Sequence, residues 1–127
     1  MSEAASLLLL VACLQAKHLV CDFTLQSADM AANKGTYGHP GGIRHAGLHG
    51  SATLVVLLFW VWPLCALLLA LGEMTLHYHI DWAKDRVVRR YGFTMRDRGF
   101  WVGLGVDQFL HQWTYLLIAA LAAVPDR

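Results

Sequence analysis

The chain is poor in charge and in cysteine. Only 15% of its 127 residues are charged and the formal net charge is +1. So small a net charge excludes a partner drawn in by overall polyelectrolyte attraction, and no nucleic-acid motif accompanies the basic residues, so nucleic acid is not expected as a partner. Three cysteines, Cys13, Cys21 and Cys65, form an odd set without a CxxC pair. That argues against a disulfide framework, and each thiol sits in or beside an apolar run, where it packs as a small hydrophobe. The apolar–polar alternation of strands is missing, as are internal repeats and low-complexity tracts. The N-terminus also lacks the basic region and small-x-small cleavage site of a signal peptide, Glu3 being its only early charge, so it is expected to remain as structure.

Apolar length is what the chain has instead. Fifty-seven per cent of residues are hydrophobic, above the usual share in a soluble domain. Residues 6–23, 54–72 and 101–124 each approach the twenty or so needed to cross a bilayer. Residues 45–83 pose a fork. One continuous helix kinked at Pro63 would hold His49 and His77 about 40 Å apart. A hairpin turning at Trp62-Pro63 would return them to one side, and polar groups in a membrane seek partners, which favours the hairpin. The expected fold is an all-α, polytopic integral membrane four-helix bundle, a single transmembrane domain over 1–127 with helices at about 5–26, 42–62, 63–90 and 99–124. Lys84, Arg86, Arg89, Arg90, Arg96 and Arg98 crowd one short segment. The positive-inside rule then places the two long loops in the cytoplasm and both termini outward.

Within these apolar stretches lie four pairs of metal-type side chains spaced by four: His18 and Asp22, His45 and His49, His77 and Asp81, Asp107 and His111. Residues i and i+4 share a helix face, so each pair can aim two ligands at one centre. In the hairpin topology all four pairs fall in one layer near the cytoplasmic side. Charged groups at a helix centre cost about 2.5–3.5 kcal/mol each, of order 10 kcal/mol for the set, which mutual pairing or a cation must offset. Imidazole with carboxylate suits a divalent metal, one or two ions, with zinc first and manganese or iron next. Gln26 and Gln108 are placed behind the ligands. Glu73 is a supporting carboxylate or general base, and Lys84 neutralises substrate charge. Lys84 and Arg86 are candidates for a substrate phosphate, and Asn33 and Lys34 for a flap over the site. His39 reads as a solvated loop residue, and His79 faces away from His77 and Asp81.

The motifs His18-x3-Asp22-Phe23-x-Leu25-Gln26, Met30-Ala31-x-Asn33-Lys34, His45-x3-His49-Gly50, His77-x3-Asp81-x2-Lys84 and Asp107-Gln108-x2-His111 together resemble a bacterial and phage membrane family, domain of unknown function 3307, from about residue 7 to 120. The resemblance implies no established activity. In the style of its histidine and aspartate pattern it is similar to inner-membrane metal-dependent hydrolases.

These readings lead to a membrane-embedded, metal-dependent hydrolase working at the cytoplasmic interface on a lipid phosphate, with the bilayer and a phospholipid as partners and a homo-oligomer as one possible assembly. Two alternatives stand beside it. One is a metal-ion or proton transport protein, against which the apolar outer halves of the helices argue. The other is an accessory subunit with a structural metal or a haem between two histidines.

Overall fold

The computed structural model describes residues 1–123; the end of the fourth expected helix, at 124, lies outside the described residues. The described chain is all-α, with five helices: α1 (Glu3–Val20), α2 (Ala28–Asn33), α3 (Pro40–Leu57), α4 (Pro63–Tyr91) and α5 (Arg98–Ala122). The four long helices form a ring in which α1 touches α3 and α5, and α4 touches the same two; α2 lies against α3.

Local chemistry sets the ends. Ser2 caps α1, its hydroxyl accepting from the backbone of Ala5. Ser27 does the same for α2 through Met30 at 3.2 Å, ordering part of a segment expected to be loop. His39 caps α3, with Nδ1 accepting from the Gly41 N–H. Pro40 and Pro63 occupy first helical positions, where a missing N–H costs nothing. α4 ends at Gly92, which takes the left-handed conformation at φ 65° that a side chain would disfavour. Before α5, Asp97 accepts from the Thr94 N–H at 2.7 Å and hydroxyl at 2.8 Å, which holds its carboxyl below the usual range.

The hairpin is the arm of the fork that the chain takes. α3 stops at Leu57, five residues before the expected 62. The Leu57 carbonyl accepts from Trp60 and Val61 in a tight turn, and Trp62, preceding proline, is extended at ψ 146°. The Trp60 indole donates to the Ser6 hydroxyl at 3.1 Å, tying the turn to the start of α1. An apolar core of Leu10, Leu14, Leu57, Ala66, Tyr115 and Ile118 fills this end of the ring.

The first expected helix is also divided. After Val20 the chain continues as a π-helical turn, Cys21–Leu25, which carries Asp22. The expectation of four membrane spans exceeds what length and composition support. Among the described residues one segment, Glu3–Leu25, is long and apolar enough to cross a membrane, and a signal sequence or a buried core helix passes the same test. The other long helices fall short because the polar residues of the centre lie within them.

Candidate metal centre

At the end of the ring opposite the Trp62-Pro63 turn, the interior is polar. His18, His45, His49, His77, Asp81, Asp107 and His111 are all buried, each less than a twentieth exposed, and the Asp22 side chain is 12% exposed. α1 with its π-helical turn, α3, α4 and α5 each contribute two of these eight residues.

Two donor groups form. Asp22, His45, His49 and His77 each offer one ligand atom, all within 4.8 Å of one another, and His77, Asp81 and His111 form a second group under the same limit. In the first, His49 Nε2 lies 3.1 Å and His45 Nε2 3.3 Å from Asp22 Oδ1, and His45 Nε2 lies 3.1 Å from His77 Nε2. A tetrahedral ion with bonds of about 2.0–2.1 Å has ligand–ligand edges of about 3.3–3.4 Å, so these spacings suit a bound cation. Asp81 sits at the junction of the groups: Oδ2 is 3.1 Å from His45 Nε2 and 3.4 Å from His77 Nε2, while Oδ1 is 3.9 Å from His111 Nε2. Two buried acceptors here lack hydrogen-bond partners: His111 Nε2, 3.9 Å from Asp81 Oδ1, and Asp107 Oδ1. Burying acceptors without donors costs free energy that a cation would recover. The buried His/Asp groups could therefore hold a metal ion, whose identity they do not fix.

His18 and Asp107 stand beside the donor groups rather than within them. His18 Nε2 is 3.1 Å from Asp22 Oδ2, and its Nδ1 meets the Tyr115 hydroxyl at 2.7 Å. The Asp107 carbonyl accepts from His111 Nδ1 at 2.9 Å, which leaves His111 Nε2 as the bare nitrogen facing Asp81. Gln26 donates to the Asp22 carbonyl at 3.3 Å, and Gln108 to Asp107 Oδ2 at 3.1 Å.

Glu73 has a partner the sequence reading did not assign. Lys17, 8% exposed, donates to Glu73 Oε1 at 2.7 Å and lies 3.3 Å from His49 Nδ1. Its ammonium also sits 4.8 Å over the Tyr115 ring. Glu73 is thus engaged in a buried ion pair, which weakens its casting as a free general base. With Lys17 donating into Nδ1, the proton of neutral His49 sits on Nε2, aimed at Asp22. An ion at Nε2 therefore competes with Lys17 for the same ring.

The substrate candidates separate. Lys34 reaches the centre, 3.4 Å from Asp81 Oδ2 and from Gln26 Oε1. Burial would lower its pKa, but Asp81, Asp22 and Asp107 together outweigh burial and hold the ammonium above its ordinary value. Asn33 turns away to Asp29, donating to its carbonyl and carboxylate at 3.0 Å each. Lys84 pairs with Asp85 at 3.2 Å, while Arg86 lies over the Trp82 ring, 5.7 Å from its centroid. The two border different surface grooves, so they do not form one phosphate clamp. A separation of two positions on a helix puts side chains about 200° apart. His39 caps α3, and His79 is exposed beside Tyr37 at 3.2 Å.

Tyr115 and Thr53, both fully buried, were legible in principle: each extends a metal-type pair by another i+4 step, His111 to Tyr115 and His49 to Thr53. Lys17 gave only a weaker signal, a lone cation in an apolar run with Glu73 as an unmatched anion in another.

No curated protein and no solved structure matches the chain. Over residues 7–126, nearly its whole length, it matches the model of the family described as Protein of unknown function (DUF3307), and it belongs to that family.

Proposed function

We propose that this chain is an integral membrane, metal-dependent hydrolase that binds a divalent ion, zinc by preference, and acts on a lipid phosphate at the cytoplasmic interface. The observation that carries the reading is the charge of the buried layer. Among the described residues, Asp22, Glu73, Asp81 and Asp107 face Lys17 and Lys34, with Lys84 already paired to Asp85. With neutral imidazoles, four carboxylates less two ammoniums leave two negative charges, the charge of one divalent cation. The membrane part rests on inverted polarity. The polar layer is inside, whereas Leu8, Val55, Leu67, Leu68, Trp113 and Leu117 are exposed outside, an apolar exterior larger than an ordinary soluble surface tolerates.

A divalent ion held by Asp22, His45, His49 and His77 would supply Lewis acidity and lower the pKa of a water beside it. The chain's own residues do the rest. Asp81, outside that group yet 3.1 Å from His45 Nε2, adds a carboxylate beside the ligands. Tyr115 orients His18, and the Asp107 carbonyl orients His111. Lys34, 3.4 Å from Asp81 Oδ2, screens the buried carboxylates on the loop side.

Elemental mass spectrometry on detergent-purified protein tests this first. One equivalent of ion, lost in a His45→Ala/His49→Ala variant, with hydrolysis of a phosphatidic-acid-type substrate lost alongside, is expected. Protein kept free of chelator that carries no stoichiometric metal would remove the reading. A structural ion is the second reading, favoured by the near-complete enclosure of four donors, since structural zinc sites are closed and catalytic ones keep an open position. Chelation separates the two: it unfolds the bundle if the ion is structural and leaves a folded, inactive chain if it is catalytic.

A further inference from the structure

Between α4 and α5 runs a groove of about 470 Å³, walled by Leu76, Ile80, Ala83, Val87, Val106 and Leu110. Several of these walls are open to the surroundings, Leu76, Val87, Val106 and Leu110 among the exposed large hydrophobics. The polar exceptions in the lining are Lys84, Asp107 and His79. Asp107 is 3% exposed, and its Oδ1 has no hydrogen-bond partner. Behind it stands His111, held by the Asp107 carbonyl and facing Asp81. The groove therefore leads from the apolar outside to one residue short of the donor groups. Lys84 donates one hydrogen bond to Asp85 Oδ1 at 3.2 Å, which leaves two of its three N–H groups for a ligand. Gly103 leaves the floor open: a Cβ there would meet only Val88 Cγ2, at 3.8 Å.

We infer that this groove seats the acyl chain of a phospholipid, with the phosphate at Lys84 and a hydroxyl of that phosphate donating to Asp107 Oδ1. The inference rests on the membrane hydrolase reading and specifies how its substrate enters. The walls decide the occupant. A peptide laid here would leave its backbone N–H and C=O groups unsatisfied against aliphatic side chains, which lipid does not tolerate. An acyl chain has no such groups and gains dispersion contact with each methylene packed against an aliphatic wall. The ends match too, since the ammonium of Lys84 complements phosphate and the bare Asp107 oxygen needs a donor. Entry from the side rather than from the loop also suits a centre that Lys17, Lys34 and the α2 segment close elsewhere.

The test uses the full chain in phosphatidylcholine vesicles containing phosphatidic acid with a photoreactive diazirine on its tail. Irradiation and peptide mapping are expected to place label on residues 76–87 and 103–110. Gly103→Leu fills the groove and is expected to lower that labelling about tenfold, because the added side chain occupies the space the tail needs. Gly105→Leu is the control: the same helix and the same added volume, at a site where a Cβ meets nothing within 4 Å, and its labelling stays at the wild-type level. Lys84→Gln is expected to abolish the preference for phosphatidic acid over a diacylglycerol carrying the same tail. Equal labelling in wild type and Gly103→Leu, or label spread evenly around the bundle, overturns the inference. Metal content, measured on the same samples, separates the two levels. Wild-type metal with evenly spread label removes the groove alone, whereas absent metal with groove-specific label removes the hydrolase and leaves the lipid site standing.

Discussion

The Lys17–Glu73 pair makes opposite demands on stability and on metal affinity, and that opposition can be measured. Its side chains are 7% and 1% exposed and 2.7 Å apart. Glu73→Gln leaves a buried ammonium without its counter-ion, and Lys17→Met leaves a buried carboxylate. Breaking a buried pair from either side costs about 3–5 kcal/mol. For a chain of this length, that lowers Tm by roughly 10–20 °C. The double variant Lys17→Met/Glu73→Leu removes both charges and is expected to unfold within about 1 kcal/mol of wild type, or above it. Metal affinity divides the single variants. From two net negative charges, Lys17→Met takes the layer to three and Glu73→Gln to one. Lys17 reaches the donor group through His49 Nδ1 at 3.3 Å. A unit charge acting over about 7 Å at an effective dielectric of about 20 is worth roughly 2–3 kcal/mol, or about a hundredfold in affinity. Lys17→Met should therefore bind zinc up to about a hundredfold tighter than wild type, and Glu73→Gln more weakly. Zinc in excess should restore much of the Tm lost in Lys17→Met and little of that lost in Glu73→Gln. Isothermal titration with competing chelator, beside thermal unfolding with and without zinc, reads both quantities. Single variants that shift zinc affinity in the same direction, or a double variant as unstable as either single one, would refute the account of the pair.

Other positions give sharper single outcomes. Tyr115→Phe removes the hydroxyl 2.7 Å from His18 Nδ1 and should cost about 1–3 kcal/mol in denaturant unfolding, with the largest imidazole NMR shift at His18. Gly50→Ala drives a methyl to 2.9 Å from Met74 Cβ and 3.3 Å from the Ala70 carbonyl where α3 meets α4; a loss of about 1–3 kcal/mol is expected. Gly47→Ala meets nothing within 4 Å and should gain about 0.5–1 kcal/mol by helix propensity. Asp97 has its folded pKa depressed below 3.8 by the Thr94 N–H and hydroxyl. Its contribution is complete above pH 3.8 and lost as pH falls through the folded value, so the penalty for Asp97→Asn should shrink in acid; a penalty unchanged between neutral pH and strong acid would contradict the turn's geometry.

What was legible in the sequence is what a helix of 3.6 residues per turn fixes by itself. The spacing of four in His45–His49 and His77–Asp81 guaranteed a shared face, and the hairpin at Pro63 followed from the need to unite those faces. The layer's membership was less legible, because an i+4 step also rotates about 40° around the axis. That drift is enough to leave Asp107 on the groove side of His111. On α1 the π-helical turn intervenes: one wider turn at Cys21–Leu25 re-aims Asp22 relative to His18, and neither composition nor period signals such an insertion. The short helix α2 was hidden differently. Its six residues bury no side chain and so show no apolar period, although Ser27 three positions before Met30 carried a cap signal. Lys17 was the least legible, because its burial depends on a partner 56 positions away in the chain. Sequence period reports which residues of one helix look the same way. It does not report which charge on a second helix will be met there. For that reason the ligand-type pairs were visible from spacing, while the ion pair that sets their net charge emerged only from the packed ring.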